Sequence, residues 1–253
     1  MIENIVFWNP WWNNKEIPSI LHRKSYDTIS LLLKRKEIVF FTGVRRSGKT
    51  SAIYYIIKKL LEHEKKENIL YLSLDDPILK NESIDDIYQK YREIFADVSG
   101  KKYIFLDEVQ NSSEWAAWVK KMYDSFEDIK FILSGSKSSV LKKSSSLLTG
   151  RMIEFEFYPL SFLEFLEFNA FKINSINVIS EKPTLLSYFK NYVQYGGFPE
   201  VVLEKDEYLK TILLKEYYEN IKDKDIITYF NIRDSKKFDN LSLFCTFKYR
   251  KTI

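Results

Sequence analysis

From about residue 29 onwards, the chain alternates short apolar runs with longer stretches in which apolar residues recur at helical spacing. Strands buried on both faces of a parallel sheet are almost continuously apolar, and the helices that cover such a sheet have one apolar face. The pattern therefore predicts an α/β fold in which helices sandwich a central parallel sheet. The predicted strands, each rich in Ile, Phe, Leu or Tyr, are residues 37–42, 69–74, 103–106, 129–134 and 152–157.

Helices are predicted between these strands. The first begins within residues 48–50, because the apolar positions that follow are spaced by three and four residues and form one buried face. Two more cover about residues 84–95 and 115–126. Residues 137–150 are rich in Ser and Lys and interrupt the alternation, so we expect a mobile loop around a short helix there.

Beyond residue 159 the strand pattern stops and helices are predicted at residues 162–168, 185–195 and 208–230. We therefore expect two domains: a core over residues 1–160 with an aromatic N-terminal arm, and a lid-like, incomplete helical region over residues 161–253. Residues 241–253 show neither helical nor strand periodicity, and we expect them to be frayed or poorly packed.

Composition narrows the class of protein. A chain of 253 residues with 45% hydrophobic and 16% aromatic residues must bury a core, which excludes a disordered protein. The net charge of +4 without a basic tail leaves weak nucleic-acid affinity open. A single cysteine, Cys245, excludes a disulfide within the chain and suits a reducing compartment. With no signal peptide and no apolar run near the about 18 residues of a membrane span, we expect a cytoplasmic protein without a membrane partner.

The segment from Gly43 to Thr50 fits the pattern G-x-x-x-x-G-K-[ST] and lies between a predicted strand and a predicted helix. In such a P-loop the glycines allow a tight turn, so that backbone N–H groups and the helix N-terminus face the phosphates of a nucleotide. We therefore predict ATP as ligand. The predicted binding residues are Gly43, Val44, Arg45, Arg46, Ser47, Gly48, Lys49, Thr50 and Ser51.

Two P-loop side chains have defined chemistry. Lys49 is expected to bridge the β- and γ-phosphates and to stabilise charge as the γ-phosphoryl group leaves, and the Thr50 hydroxyl to coordinate Mg²⁺. Arg45 and Arg46 occupy variable positions of the motif. For them a solvated or partner-facing position is favoured over a catalytic one.

The third predicted strand ends in Asp107 and Glu108. Acids at strand ends are often solvated turn residues, but a P-loop about sixty residues upstream favours a functional pair. Asp107 is then expected to hold Mg²⁺ through its water shell. Glu108 is placed to orient and deprotonate the attacking water, which predicts hydrolysis of ATP rather than binding alone.

Ser134 and Arg151 complete the predicted catalytic set with Lys49 and Glu108. Ser134 ends the fourth predicted strand, where it either places a hydroxyl near the γ-phosphate or belongs to a plain turn. Arg151 is a candidate charge sensor or arginine finger, with a structural ion pair as the favoured alternative.

Aromatic and basic residues before the first strand suggest further contacts. Trp8, Trp11 and Trp12 could anchor a partner or stack on bases, but such clusters more often staple an arm onto the core. Arg23 and Tyr26 lie where many P-loop proteins contact the nucleotide base, and a surface position explains them equally well.

Together with several other segments, these residues resemble the archaeal ATPase family of AAA-type P-loop proteins, related to the signal-transducing ATPases with numerous domains. The resemblance rests on matching motifs in a fixed order along most of the chain. These are Asn9-Pro10-Trp11-Trp12, Gly43 to Thr50, Leu106 to Gln110, Trp115, Ser134-Gly135-Ser136, Gly150-Arg151, Tyr158 to Phe162 with Glu164-Phe165, and Tyr195 to Glu200.

The resemblance implies an AAA-type core with the P-loop strand central. It also implies Asp107 on Mg²⁺, Glu108 as the hydrolytic base, Ser134 as the first sensor, and Gly150-Arg151 beside the γ-phosphate. A helical lid and a winged-helix region should follow. The chain departs from this pattern at Lys224-Asp225-Ile226, where the family has Arg-Asp-Ile, and no further helix is predicted after residue 233. We therefore expect a truncated or frameshifted C-terminus, which weakens the case for DNA contact through a winged helix.

The leading hypothesis is an AAA-type ATPase, or ATP-driven switch, that acts on an unidentified protein partner or by self-association. Nucleotide state would move the helical region against the core. Two alternatives remain: a small-molecule kinase, which needs an acceptor pocket, and a nucleic-acid-binding module that uses ATP for assembly. The Lys-rich loop and a pI near 8.8 motivate the second alternative.

Overall fold

A five-stranded parallel sheet occupies the centre of the computed structural model, which describes residues 1–136, 147–173 and 177–250. All five predicted strands are confirmed, with ends within one residue of the prediction. The strands are β1 Ile38–Gly43, β2 Ile69–Ser73, β3 Lys102–Asp107, β4 Ile129–Ser134 and β5 Met152–Phe157. Their order in the sheet is β2-β3-β4-β1-β5.

The order of the strands determines which side chains meet at the carboxyl edge of the sheet. β4 lies between β1 and β3, with Phe41 opposite Ser134 and Leu106 opposite Leu133. The carboxyl end of β4 therefore lies between the carboxyl ends of β1 and β3. Residues that follow these three strands converge on one edge, as is usual for ligand sites of open parallel sheets.

Helices cover the sheet because each has an apolar face. In the helix after β1, Ala52, Ile53, Ile56 and Ile57 are buried, as the three- and four-residue spacing predicted. The helices of the core are α1 Ile2–Trp8, α2 Ser25–Leu32, α3 Lys49–Leu60, α4 Ile84–Ile94 and α5 Trp115–Ser125. The predicted helices at residues 84–95 and 115–126 are thus confirmed as α4 and α5.

The N-terminal arm, residues 1–13, lies along the outer edge of β2. The Asn9 carboxamide accepts a hydrogen bond from the Tyr71 amide at 2.7 Å and donates one to the Tyr71 carbonyl at 2.8 Å. The indole N–H groups of Trp11 and Trp12 donate to the Ile69 carbonyl at 3.2 and 3.0 Å. Side chains of the arm thus take the place of a neighbouring strand, and the interpretation of the tryptophans as a staple is confirmed.

The segment after β5 is helical. It contains a seven-residue π-helix, Ile221–Ile227, directly after the helix that ends at Asn220. The helices are α6 Phe162–Phe168, α7 Asn177–Ser180, α8 Lys182–Tyr195, α9 Pro199–Leu203, α10 Glu207–Asn220, α11 Thr228–Phe230 and α12 Ser235–Arg250. None of the described helices combines the length and the hydropathy that a transmembrane span requires.

The structure tests the prediction for the C-terminal segment but not the prediction of a mobile loop. The prediction that no helix follows residue 233 is wrong, because α12 continues to Arg250. The predicted mobile loop falls mostly on residues 137–146, which lie outside the described residues, as do residues 251–253.

Candidate functional site

The P-loop joins β1 to α3 in the strand–loop–helix arrangement that its sequence predicts. Gly48 precedes α3 with a φ of +101°, a left-handed conformation that favours glycine. Lys49 is 5% exposed, and its ammonium group donates to the carbonyl oxygens of Gly43 at 3.1 Å and Val44 at 3.0 Å. The loop therefore folds around the Lys49 side chain.

The Asp107 carboxylate lies next to the P-loop. It accepts hydrogen bonds from the Thr50 hydroxyl at 2.8 Å and from the Ser134 hydroxyl. Three predicted site residues from separate elements are thus in direct contact. The Tyr71 hydroxyl on β2 also donates to Asp107, at 2.9 Å, and this contact was not predicted. The sequence offers no signal for it, because Tyr71 lies in an apolar run that is typical of a buried strand.

The charges of Lys49 and Glu108 affect each other's pKa. Burial lowers the pKa of Lys49, while the nearby Glu108 and Asp107 carboxylates counteract this effect. Burial raises the pKa of Glu108, and the charge of Asp107 adds to the rise. A carboxylate with a raised pKa holds a proton more readily, which suits a base that must accept one near neutral pH.

The backbone turns sharply at Glu108, which has a φ of +56°. Its amide donates to Ser134 Oγ at 3.3 Å, and its carboxylate accepts a hydrogen bond from the Gln110 side chain. Ser134 thus holds both the Asp107 side chain and the backbone of Glu108. Ser134 is therefore more than a turn residue, because its hydroxyl contacts both acidic residues. Its catalytic role stays a prediction.

Oxygen atoms of Thr50 and Asp107 are the donors available for a metal ion. Magnesium prefers oxygen ligands and usually takes only one or two carboxylates, with phosphate and water oxygens completing the octahedron. The Thr50 and Asp107 oxygens, 2.8 Å apart, fit that description. No cluster of three or more His, Cys, Asp or Glu suited to a metal occurs among the described residues.

A cavity of about 720 Å³ opens between the P-loop and the helical region. Such a volume lies within the range of small-molecule sites, about 300–1,000 Å³. Among the predicted binding residues, Arg45, Arg46, Gly48, Lys49, Thr50 and Ser51 line it together with Glu108. The opposite wall includes Pro199, Glu200, Glu216, Tyr217, Asn220 and Lys224 of the helical region.

Ion pairs connect the two walls. Arg45 Nε lies 3.1 Å from Asp225 Oδ1 on the π-helix, and Arg46 Nη1 lies 3.3 Å from Glu200 Oε2 on α9. Arg46 also sits over the Tyr217 ring, 5.4 Å from its centre. Both P-loop arginines therefore contact the helical region of their own chain. The expected solvated position holds for Arg46, whose side chain is 55% exposed, whereas the Arg45 side chain is only 27% exposed. Neither ion pair was predicted, because the acidic partners lie about 150–180 residues away in sequence.

Arg151 does not reach this site. Its carbonyl accepts a hydrogen bond from the Ile38 amide, which places it beside the amino end of β1, whereas the P-loop follows the carboxyl end. Six strand residues at about 3.3 Å each separate the two edges by about 20 Å. The guanidinium pairs with Asp124 on α5 at 2.8 Å. The expectation that Gly150-Arg151 lies beside the γ-phosphate of the same chain is therefore wrong, and the structural ion pair is confirmed.

Arg23 and Tyr26 are buried, so the surface interpretation of both is wrong. Tyr26 packs against Tyr55 of α3, with ring centres 4.7 Å apart. The Arg23 guanidinium donates to the Ser47 carbonyl in the P-loop. Neither residue is among those that line the cavity in the described part of the chain, and their contact with a nucleotide base stays a prediction.

Comparison with protein families matches two parts of the chain. The model of the AAA domain matches residues 35–166, which contain the sheet, the P-loop and Asp107-Glu108. A domain of unknown function (DUF8612) matches residues 186–252, which include α9, α10, the π-helix and α12.

Two relatives are about one-third identical to this chain over the aligned residues. The uncharacterized protein MJ1544 of Methanocaldococcus jannaschii is 33% identical over 210 residues, which cover 83% of this chain and 46% of the relative. An uncharacterized protein of Haemophilus influenzae is 30% identical, with coverage of 89% and 55%. The chain thus spans about half the length of these relatives.

Among solved structures, the closed-state cryo-EM reconstruction of Hsp104 with ATPγS and FITC casein matches with a TM-score of 0.52. The match covers 78% of this chain and 38% of the Hsp104 chain, at 12% sequence identity. At that identity the likeness concerns the fold alone.

Proposed function

This chain belongs to the AAA domain family, and on that premise we propose that it binds ATP with Mg²⁺ in the P-loop cavity and hydrolyses it to ADP and phosphate. The observation that carries the proposal is the 2.8 Å contact between the Thr50 hydroxyl and the Asp107 carboxylate, with Glu108 lining the same cavity. This contact joins the P-loop to Asp107, the acid that directly precedes the proposed base Glu108.

Binding depends on the cations and amides of the loop. The triphosphate would lie against the N-terminus of α3, where backbone N–H groups and the helix dipole favour negative charge. The buried Lys49 ammonium would exchange its carbonyl acceptors for β- and γ-phosphate oxygens, because a full negative charge is the stronger acceptor. Thr50 and Asp107 would hold Mg²⁺, which would supply charge neutralisation to the bound phosphates.

Hydrolysis depends on Glu108. Its carboxylate accepts a proton from water as the water oxygen forms a bond to the γ-phosphorus. The bond between the γ-phosphorus and the β–γ bridging oxygen breaks, and its electron pair stays on ADP. The Lys49 ammonium stabilises the charge that develops on that side. Ser134, which contacts both Asp107 and the Glu108 amide, holds the two acids in place.

The shared cavity also supports a nucleotide-driven switch. The triphosphate is strongly anionic and competes with Asp225 and Glu200 for the guanidinium groups of Arg45 and Arg46. Arrival of ATP therefore weakens the ion pairs that hold the π-helix and α9 against the loop. The resulting movement of the helical region would change the surface offered to a protein partner or a second copy of the chain.

The test is Mg²⁺-dependent phosphate release by the purified protein, together with ATP affinity. Lys49→Ala should abolish binding. Glu108→Gln should retain binding and lower turnover by about 10²- to 10⁴-fold, the usual contribution of a general base. Matched controls are Lys58→Ala on the exposed face of α3 and Glu127→Gln, whose side chain is 96% exposed. Turnover that survives Glu108→Gln disproves the base assignment, and a wild-type protein that does not bind ATP disproves the proposal.

The same assay separates the alternative functions. A small-molecule kinase requires an acceptor, so ATP turnover without any added acceptor argues against it. A nucleic-acid-binding module should bind DNA with an affinity that falls steeply as salt increases. Absence of DNA binding at low salt would dismiss that alternative.

A further inference from the structure

Arg23 is a buried cation behind the P-loop that the proposed mechanism does not use. The residue is 4% exposed and precedes α2 by two positions. Its Nη1 donates to the Ser47 carbonyl at 2.9 Å, and its Nη2 donates to the Tyr158 carbonyl at 3.2 Å. The guanidinium also forms a two-pronged pair with Glu164, through Nε at 2.9 Å and Nη2 at 3.2 Å. One side chain thereby connects the loop, the end of β5 and α6.

Such a buried pair is weak evidence for a role in stability. Well-packed apolar side chains in place of a buried ion pair are often as stabilising, because both charges must leave water. Burial raises the pKa of Glu164, but the hydrogen bonds from Arg23 and from the Ser161 amide outweigh that effect and lower it. The Glu164 carboxylate therefore stays ionised at neutral pH, and its two contacts fix the Arg23 guanidinium in one orientation.

The contact with Ser47 determines which way the next amide points. The described residues contain no cis peptide bond, and in a trans peptide the C=O and N–H groups point in nearly opposite directions. Because the Ser47 carbonyl points at Arg23, the Gly48 N–H points away from Arg23. Gly48 lines the cavity, whereas Arg23 contributes nothing to the described cavity wall.

We propose that Arg23 is a positioning residue that, held by Glu164, locks the Ser47–Gly48 peptide so that the Gly48 N–H faces the phosphates of the bound nucleotide. The proposal rests on the proposed function, since it needs an anion in the P-loop. Without the lock, this peptide could flip and turn a carbonyl oxygen toward the phosphates, which repels them. Arg23 acts through the backbone and touches no reacting atom.

Lysine cannot replace arginine in this position. An ammonium group carries its donors on one atom, whereas Arg23 uses three nitrogen atoms in a planar fork to reach Ser47, Tyr158 and Glu164 together. Arg23→Lys keeps the charge but loses the fixed orientation. We expect it to weaken affinity for Mg²⁺–ATPγS about tenfold, the factor that corresponds to one lost hydrogen bond to a charged group. Glu164→Gln should weaken it in the same direction by a smaller factor.

A spectroscopic signal tests the peptide itself. The chain contains three Ser-Gly peptides, Ser47-Gly48, Ser99-Gly100 and Ser134-Gly135. Labelling with ¹³C-carbonyl serine and ¹⁵N-glycine selects these three amides, and Ser99→Ala and Ser134→Ala identify two of them. In the wild type, the Gly48 amide proton should move downfield when Mg²⁺–ATPγS binds, because the amide donates to phosphate. In Arg23→Lys this movement should shrink, while Gly100 remains unchanged.

The controls separate positioning from stability. Arg35→Lys alters an arginine whose side chain is 59% exposed and paired with Glu37, and it should leave affinity and the Gly48 signal unchanged. A folded Arg23→Lys protein with wild-type affinity and a full Gly48 shift overturns the proposal. If Arg23→Lys does not fold, unchanged affinity in Glu164→Gln overturns it instead. Failure of the wild type to bind ATPγS refutes the proposed function, which is a different outcome.

Discussion

The Asp107 carboxylate accepts hydrogen bonds from three side chains, those of Thr50, Tyr71 and Ser134. Burial raises the pKa of Tyr71 well above its usual value, and the Asp107 charge raises it further. The Tyr71 phenol therefore stays protonated and can only donate to the carboxylate. This contact fixes the Asp107 oxygen that also faces Thr50.

Tyr71→Phe removes that donor and leaves the ring. We expect the Mg²⁺ concentration for half-maximal ATP turnover to rise about tenfold, since loss of a partner behind a metal-binding carboxylate typically costs about 10- to 100-fold. The control is Tyr91→Phe, which removes a hydroxyl bonded to the Glu67 carbonyl outside the site. An unchanged Mg²⁺ requirement in Tyr71→Phe would contradict the assigned role of Asp107.

Gln110→Leu should change the pH dependence of turnover. Burial and Asp107 raise the pKa of Glu108, whereas the Gln110 side chain lowers it by donating to the carboxylate. Removing Gln110 should raise the Glu108 pKa further. A base must be deprotonated to act, so the acidic limb of the kcat profile should move to higher pH. Asn111→Leu, next in the chain but bonded to Asp75, is the control, and an unshifted limb in Gln110→Leu would exclude Glu108 as the titrating base.

The sequence predicts the residues whose roles follow from spacing. Lys49 and Thr50 are set by the P-loop motif, and Ser134 meets Asp107 because the carboxyl ends of neighbouring parallel strands share an edge. The contacts that Tyr71 and Arg23 make could not be predicted. Their contacts with Asp107 and Ser47 join residues that are 36 and 24 positions apart and depend on strand pairing and loop shape.

Among the secondary-structure elements, the five strands could be predicted because their apolar runs are continuous. The π-helix could not be predicted. Its sequence, IKDKDII, is compatible with an ordinary continuation of α10. What distinguishes it is the tertiary contact of Asp225 with Arg45. Single turns of π-helix occur frequently at functional sites, which agrees with its place at the cavity wall.

Gly43→Ala should disrupt the pairing of β1 with β5. Gly43 has a φ of +133°, and a Cβ there would lie 2.1 Å from the Phe157 carbonyl oxygen. We expect a loss of about 3 kcal/mol or more in the free energy of unfolding, from backbone strain and steric overlap together. Urea unfolding measures it. Gly150→Ala is the matched control, because its φ is +76° with nothing within 4 Å of the added Cβ. Equal losses at both positions would contradict the close approach of β1 and β5.

Across the whole chain, the P-loop cavity and its ion pairs bring the core into contact with the helical region. Asp225→Asn should weaken the ion pair with Arg45. The Arg45 side chain is 27% exposed and the Asp225 side chain is 13% exposed. Because the pair is partly solvated, we expect ATPγS affinity to rise only about two- to fivefold. Hydrogen exchange of the π-helix amides should become faster in the nucleotide-free protein. Asp234→Asn, which removes a partner of Lys237 in α12 and leaves the pairs of the π-helix intact, is the control. Affinity and exchange that do not change in Asp225→Asn would argue against the switch.

The contact of the N-terminal arm with β2 has a consequence for how copies of this chain can associate. Open strand edges invite a second chain to continue the sheet, which is a common route to aggregation. Asn9 already pairs with both backbone groups of Tyr71, and the tryptophans take the Ile69 carbonyl. Another molecule could add a strand at this edge only after residues 1–13 had detached from β2. Intact molecules must therefore associate through other surfaces. The edge of β2 can pair with another chain only when the N-terminal arm unfolds.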